Sequence, residues 1–281
     1  MKRWSVVAAT AAVWMAASVA AENAPSRIVS VGGELTEVVF ALGEEHRLVA
    51  RDTTSNFPAS ALELPDVGYV RRLSAEGVLS VNPDLILAVE GAGPPETMDL
   101  LKEAAIDVIE IENGFTRASV NEKIRAVAAV LGVPEKGDVL AARVDAEIAT
   151  ALASVDPANL PRVLFVLSAA GGRVTVGGRE TSVDAIISMA GGQNAAGFDG
   201  WKQITEEAII TSGADVILMM DRSGDHALSN ADVLAHPALG QTPAGQNGAV
   251  VRLDGMLLTG FSVRTGEAIA ALAKSLSEVT E

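Results

Sequence analysis

The 281-residue chain contains no cysteine, a single tyrosine and three histidines, and aromatic residues make up only 4% of it. Without cysteine there are no disulfides, no thiolate metal sites and no lipid-accepting residue of the lipoprotein type. His46, His226 and His236 are never three or four apart, so no helix face offers the paired imidazoles of a zinc site. Positive charge is scarce as well. Lysine and arginine number 21 against 36 acidic residues, a formal net charge of −15, so the bulk field disfavours nucleic acid, and an anionic ligand needs a local basic pocket. Enzyme signatures are also missing: there is no G-x-S-x-G elbow, no phosphate loop ending in G-K-[ST] and no H-E-x-x-H. Gly32-Gly33 passes straight into Glu34 instead of forming a dinucleotide fingerprint.

One long hydrophobic run is present. Lys2 and Arg3 precede a stretch from Trp4 to Ala20 without a charge, ending in Ser18-Val19-Ala20. A basic start, an apolar middle and a small-x-small end predict a secretory signal peptide over residues 1–20. The competing reading, a membrane anchor, lacks basic stop-transfer residues after Ala20. Cleavage at Ala20 removes Lys2 and Arg3 and takes the formal charge from −15 to −17. Export without a lipid-accepting cysteine predicts a protein free in the periplasm.

Short apolar runs alternate with helical patterns along the remainder, which predicts the α/β class with mainly parallel sheets. Strands are expected at 28–31, 48–50, 85–89, 107–111 and 162–167, and helices at 34–42, 96–104 and 119–131. A longer helix is expected over 135–155. The expected organisation is an N-terminal lobe at 24–132, a connecting helix within 133–157 and a C-terminal lobe at 158–281, with a ligand cleft between two similar lobes. The similarity is visible in the residues. Leu73–Leu87 lies over Ile204–Leu218 at a constant offset of 131, keeping Glu76 over Glu207 and Asp84 over Asp215. Thr36–Gly43 resembles Val183–Gly191, and Gly68-Tyr69 is echoed by Gly200-Trp201.

The chemistry concentrates around Tyr69. It follows a glycine, precedes Arg71 and Arg72, and stands just before a short helix carrying Glu76. A phenolate is a hard anionic donor suited to ferric iron, and tyrosine is among the axial ligands of haem. Guanidinium groups pair with propionates or favour the ionised phenol. A lone tyrosine is also an ordinary half-buried packing residue, and either arginine an ordinary surface charge. His226 is a weaker alternative axial ligand. Trp201, with no free lone pair on its indole nitrogen, reads as a packing residue.

Residues 27–43 (RIVSVGGELTEVVFALG), 65–77 (PDVGYVRRLSAEG), 190–194 (AGGQN), 197–201 (GFDGW) and 253–261 (LDGMLLTGF) resemble the periplasmic substrate-binding proteins of bacterial haem ABC transporters. These are a branch of the helical-backbone binding proteins that also serve vitamin B12 and siderophores. The resemblance implies capture of Fe(III) protoporphyrin IX with Tyr69 as axial ligand to the iron and Arg71 as a haem contact. It places Arg222 toward the Tyr69 hydroxyl or a propionate. Arg173, in a glycine-rich loop, and Met256 are further candidate contacts. Glu76 and Glu207 match the acidic knobs that dock such proteins on a membrane permease driven by a separate ATPase. A monomeric carrier that is not an enzyme and does not bind nucleic acid is expected. Two alternatives stay open: a corrinoid or ferric siderophore as ligand, and an exported hydrolase using Asp52, Asp221 and Asp254.

Overall fold

The computed structural model describes residues 25–104, 106–156, 160–221 and 228–280. They form two compact units. The first comprises the described residues up to Glu112 together with Glu122–Leu140, and the second Asn113–Asn121 together with the described residues from Ala141 onward. The expected signal peptide and Arg222 lie outside the described residues.

The first unit runs through β1 (Ile28–Val31), α1 (Gly33–Ala41), β2 (Leu48–Arg51), β3 (Gly68–Tyr69), β4 (Arg72–Leu73), α2 (Ala75–Leu79), β5 (Leu85–Val89), α3 (Pro95–Glu103) and β6 (Asp107–Ile111). β1 (IVSV) and β5 (LILAV) are buried at every position, the near-continuous apolar pattern of parallel strands covered on both faces. They form the middle of a four-stranded sheet in the order β2-β1-β5-β6, parallel throughout. β3 and β4 form a separate antiparallel hairpin. Glu44 ties the end of α1 to the elements that follow. It accepts from Arg47 at 3.1 Å and from Lys136 at 2.6 Å. Burial pushes the Glu44 carboxyl up, but those two cations outweigh it and hold its pKa below the ordinary value.

α4 (Arg117–Val130) and α5 (Pro134–Ala153) are each divided between the units, at Asn121/Glu122 and at Leu140/Ala141. The second unit continues with β7 (Arg162–Ser168), β8 (Val174–Gly177), α6 (Ser182–Met189), β9 (Gln193–Asn194), β10 (Trp201–Ile204), α7 (Glu206–Thr211), β11 (Val216–Asp221), α8 (Asn230–Ala235), α9 (Pro243–Asn247), β12 (Val250–Asp254), α10 (Gly255–Thr259) and α11 (Thr265–Thr280). Its sheet has the order β10-β8-β7-β11-β12, with β9 also on β7. β7, β11 and β12 are parallel, while β8 and β10 are antiparallel to their neighbours. The second sheet is therefore mixed, with three parallel pairings, including β9 on β7, and two antiparallel ones at the β8-β10 side. Gly171 and Gly172, both at positive φ, let the chain reverse directly from β7 into β8, so no crossover helix is needed there. Leu164, Val166, Val174, Val176, Ile217 and Met219 pack into the core on this sheet.

The two units repeat one design in their hydrogen bonds as well as their residues. In the first, Asp84 accepts from the backbone of Ser26 and Arg27 at 2.8 and 3.0 Å, while the Arg27 side chain donates to the carbonyls of Val81 and Asn82. In the second, Asp215 accepts from the backbone of Arg162 at 2.9 Å, and the Arg162 side chain donates to the carbonyl of Ser212. Each lock fastens the start of the first strand (β1, β7) to the turn entering its parallel neighbour (β5, β11). Ser74 caps α2 and Thr205 caps α7, each accepting from the backbone three residues on. The ends of α1 and α6 match too, with Gly43 and Gly191 both left-handed. Burial pushes the Asp84 carboxyl up, but the Ser26 and Arg27 donors prevail and lower its pKa.

Candidate functional site

In the first unit, three parallel strands end at Val31, Arg51 and Val89, and their C-terminal ends open into polar or glycine-rich loops. Ligands of α/β folds bind at such ends. The hairpin carrying Tyr69 is fixed there by main-chain bonds on both sides of the ring. The Gly68 carbonyl accepts from the Thr53 amide, and the Val70 carbonyl accepts from the Gly93 amide, each at 2.9 Å. The Leu73 amide donates to the Gly93 carbonyl at 2.9 Å. Gly68 has φ +107°, a conformation that side-chain-bearing residues rarely adopt, and its amide donates to Asp66 at 2.8 Å. Asp66 is held in turn by Arg51 at 3.2 Å.

On this support Tyr69 is 44% exposed. A tyrosine serving only the core would be covered, so the ring is available to a ligand. Arg72 is its cross-strand partner. Arg71, at the hairpin turn, donates to the carbonyl of Gly91 at the end of β5. The sequence reading put Tyr69 in a glycine-preceded loop beside Arg71; the structure has Tyr69 in the short strand β3, with Arg71 at the hairpin turn that follows, both at the C-terminal end of the first sheet. Glu76 lies in the first turn of α2, exposed, five residues beyond Arg71 at the hairpin turn.

The remaining candidates belong to the second unit. Arg173 is exposed in the loop after β7. Met256 is half-buried in α10, directly after β12. β7 and β12 both run parallel to β11, so these two residues share the C-terminal end of the second sheet. Glu207 is exposed in the first turn of α7. Trp201 packs edge-on against Phe165, ring centroids 5.7 Å apart. Of the three carboxylates offered for hydrolysis, two have structural work. Asp52 is fully buried and accepts from the amides of Gly32 and Thr54 and the hydroxyls of Thr54 and Ser55. Asp254 caps α10 through the Leu257 amide at 2.7 Å and lies 3.6 Å from Arg264.

Sequence reasoning missed a buried ionic group behind the hairpin. Glu34 and Glu37 of α1 and Lys123 of α4 are almost wholly covered. Burial raises the pKa of Glu34, with Lys123 opposing. Burial lowers that of Lys123 to about 8, with Glu34 and Glu37 opposing. Among the described residues, no three His, Asp or Glu side chains gather as a metal site. A cavity of about 300 Å³ in the second unit, lined by Asp156, Pro161, Gly191 and Lys274, contains none of the candidate residues.

Two α/β units of repeated design, with polar loops at their strand C-termini and carboxylates committed to structure, define a substrate-binding protein. The chain belongs to the periplasmic binding protein family, whose pattern matches residues 28–257. This is a family of binding proteins, not enzymes, and the hydrolase alternative falls away. Similar structures include the periplasmic haem-binding protein BhuT, solved with two haems, at 40% identity and TM-score 0.85, covering 91% of this chain and 99% of that one. The periplasmic haem-binding protein RhuT from Roseiflexus sp. RS-1 is 38% identical with TM-score 0.86 over the same shares. A vitamin B12-binding protein of Vibrio parahaemolyticus is 23% identical over 255 residues, 90% of each chain.

Proposed function

We propose that this protein captures haem in the periplasm and hands it to the permease of an ABC transporter. The observation that carries this reading is Tyr69, the chain's one tyrosine, half-exposed on a braced hairpin beside Arg71 at a strand-end ligand position. Bound haem supplies a ferric centre with open axial coordination, and the Tyr69 phenolate is its ligand. Arg71 balances a propionate or the phenolate itself. Arg222, Arg173 and Met256 complete the contacts in this reading, and the exposed carboxylates Glu76 and Glu207 meet basic residues of the permease. Residues 1–20 are removed on export, and the cysteine-free chain stays in solution as a monomer.

The haem-binding neighbours at 40% and 38% identity support haem over a corrinoid. The vitamin B12-binding relative at 23% favours the second reading, a corrinoid, and a ferric siderophore stands beside it. Iron already wrapped by a siderophore has no need of a protein phenolate, and cobalamin carries its own lower ligand. Competitive titration with hemin, cobalamin and a ferric hydroxamate decides among them. The expected result is tight hemin binding that neither competitor displaces. Preferential binding of cobalamin or hydroxamate would overturn the haem assignment and leave the transport role.

A further inference from the structure

The direction in which Tyr69 leaves the hairpin is set at Gly68, where the main chain is held on both sides. The Gly68 amide donates to Asp66 Oδ1 at 2.8 Å, and the Gly68 carbonyl, which leads into Tyr69, accepts from the Thr53 amide at 2.9 Å. A glycine by itself has wide conformational freedom. These two partners therefore select φ +107°, and one of them is a single carboxylate.

The two oxygens of Asp66 face different groups. Oδ1 accepts from the Gly68 amide and, at 3.3 Å, from the Thr53 hydroxyl, while Oδ2 accepts from Arg51 Nη1 at 3.2 Å. Arg51 is only 8% exposed. Its other side-chain bonds go to main-chain carbonyls, from Nε to Ala61 at 3.1 Å and from Nη1 to Asp52 at 2.9 Å. Its own backbone grips both neighbours of Asp66, the amide donating to the Pro65 carbonyl and the carbonyl accepting from the Val67 amide, each at 2.9 Å. Arg51 is the last residue of β2 and is paired with Ser30 of β1. A covered guanidinium on the first sheet, one carboxylate and one glycine amide thus form an unbroken series of bonds that ends at the residue before Tyr69, and two of its links are charge-assisted.

Resting on the haem reading, we propose that Asp66 is a positioning residue for the Tyr69 phenolate: oriented by Arg51, it fixes the Gly68 backbone and with it the angle at which the phenol meets the ligand iron. Asp66 acts through the main chain and not as a ligand. Groups that orient a metal ligand from behind change affinity by about 10–100-fold when they are removed. Asparagine cannot take over the role, because it has one acceptor oxygen and one NH2, so either the Gly68 amide or the Arg51 guanidinium is left facing a donor.

The test is titration of hemin into wild type and Asp66→Ala, reading the phenolate-to-iron charge-transfer band and the affinity, with the urea unfolding midpoint of each ligand-free protein measured alongside. Asp84→Ala is the control. It breaks the lock on Ser26 and Arg27 at the opposite end of the same sheet and lowers stability without reaching the hairpin. Asp66→Ala is expected to bind hemin at least about tenfold more weakly, with its band moved from the wild-type position. Asp84→Ala is expected to keep the wild-type band and affinity at a lower unfolding midpoint. A wild-type band and affinity in Asp66→Ala overturn the inference and leave the haem reading intact, and so does an Asp84→Ala protein that reproduces the changes of Asp66→Ala. If Asp66→Ala does not fold, Asp66→Asn decides by the same two readouts. Absence of a phenolate band in wild type removes the haem reading and this inference together.

Discussion

In the haem reading, Tyr69 acts on the ligand from a backbone held in place by main-chain hydrogen bonds. Amides of Thr53 and Gly93 fix the residues on either side of it, so the entropy of ordering the phenol is met in folding rather than in binding. Arg71 contributes charge at the same place, and a charge-assisted pair with a ligand carboxylate is worth about 1.5–3 kcal/mol. Arg71→Ala should therefore weaken hemin binding by roughly 10–100-fold, measured by fluorescence quenching, and unchanged affinity would remove Arg71 from the site. Lys123 makes a separate prediction about stability. Burial lowers its pKa to about 8, whereas in the unfolded chain it keeps the ordinary 10.5. Between these values the unfolded state holds more protons, so stability rises with pH across that window, and below about 8 both states are protonated and the effect levels off. Relative to Lys123→Met, wild type should gain up to about 1.4 kcal/mol per pH unit there, read from urea unfolding at a series of pH values. Parallel pH profiles for the two proteins would show that Lys123 is ionised normally.

At the scale of elements, the repeated design was legible because it is written in residues that make short-range bonds. The offset of 131 that aligns Glu76 with Glu207 also aligns the cap Ser74 with Thr205 and the lock Asp84 with Asp215. Ser74→Ala and Thr205→Ala should each lower unfolding free energy by about 1 kcal/mol, and a large effect in only one unit would argue against equivalent roles. Gly68 is a sharper case. At φ +107° an alanine is strained by about 1–3 kcal/mol, and relief of that strain would turn the hairpin. Gly68→Ala should reduce hemin affinity more than it reduces thermal stability. The mixed second sheet was not legible, because β8 and β10 are four-residue strands and nothing in so short a run tells parallel from antiparallel pairing. Nor were the buried Glu34, Glu37 and Lys123. Charged residues in short helical patterns read as solvent-facing, and only the folded structure reveals these three as covered. Asp52, which the sequence offered as a hydrolytic carboxylate, is instead an interior brace held by four donors.

For the whole molecule, function requires that ligand capture and delivery be separable. The exposed glutamates at equivalent positions of the two units belong to delivery in the reading advanced here. Glu76→Lys and Glu207→Lys should leave hemin affinity of the isolated protein unchanged and lower hemin-dependent growth of cells that rely on the cognate permease. Unchanged growth with both reversed would dismiss them as docking residues. The acidic balance of the chain, −15 before any processing, makes the local basic character around Tyr69 necessary for an anionic porphyrin. The central claim, that the Tyr69 phenolate holds ferric iron, is tested most directly by the absorption spectrum of hemin titrated into wild type and Tyr69→Phe. The account predicts a phenolate-to-iron charge-transfer band in wild type that disappears in Tyr69→Phe, with affinity falling at least about tenfold. The same band and the same affinity in both proteins would contradict it.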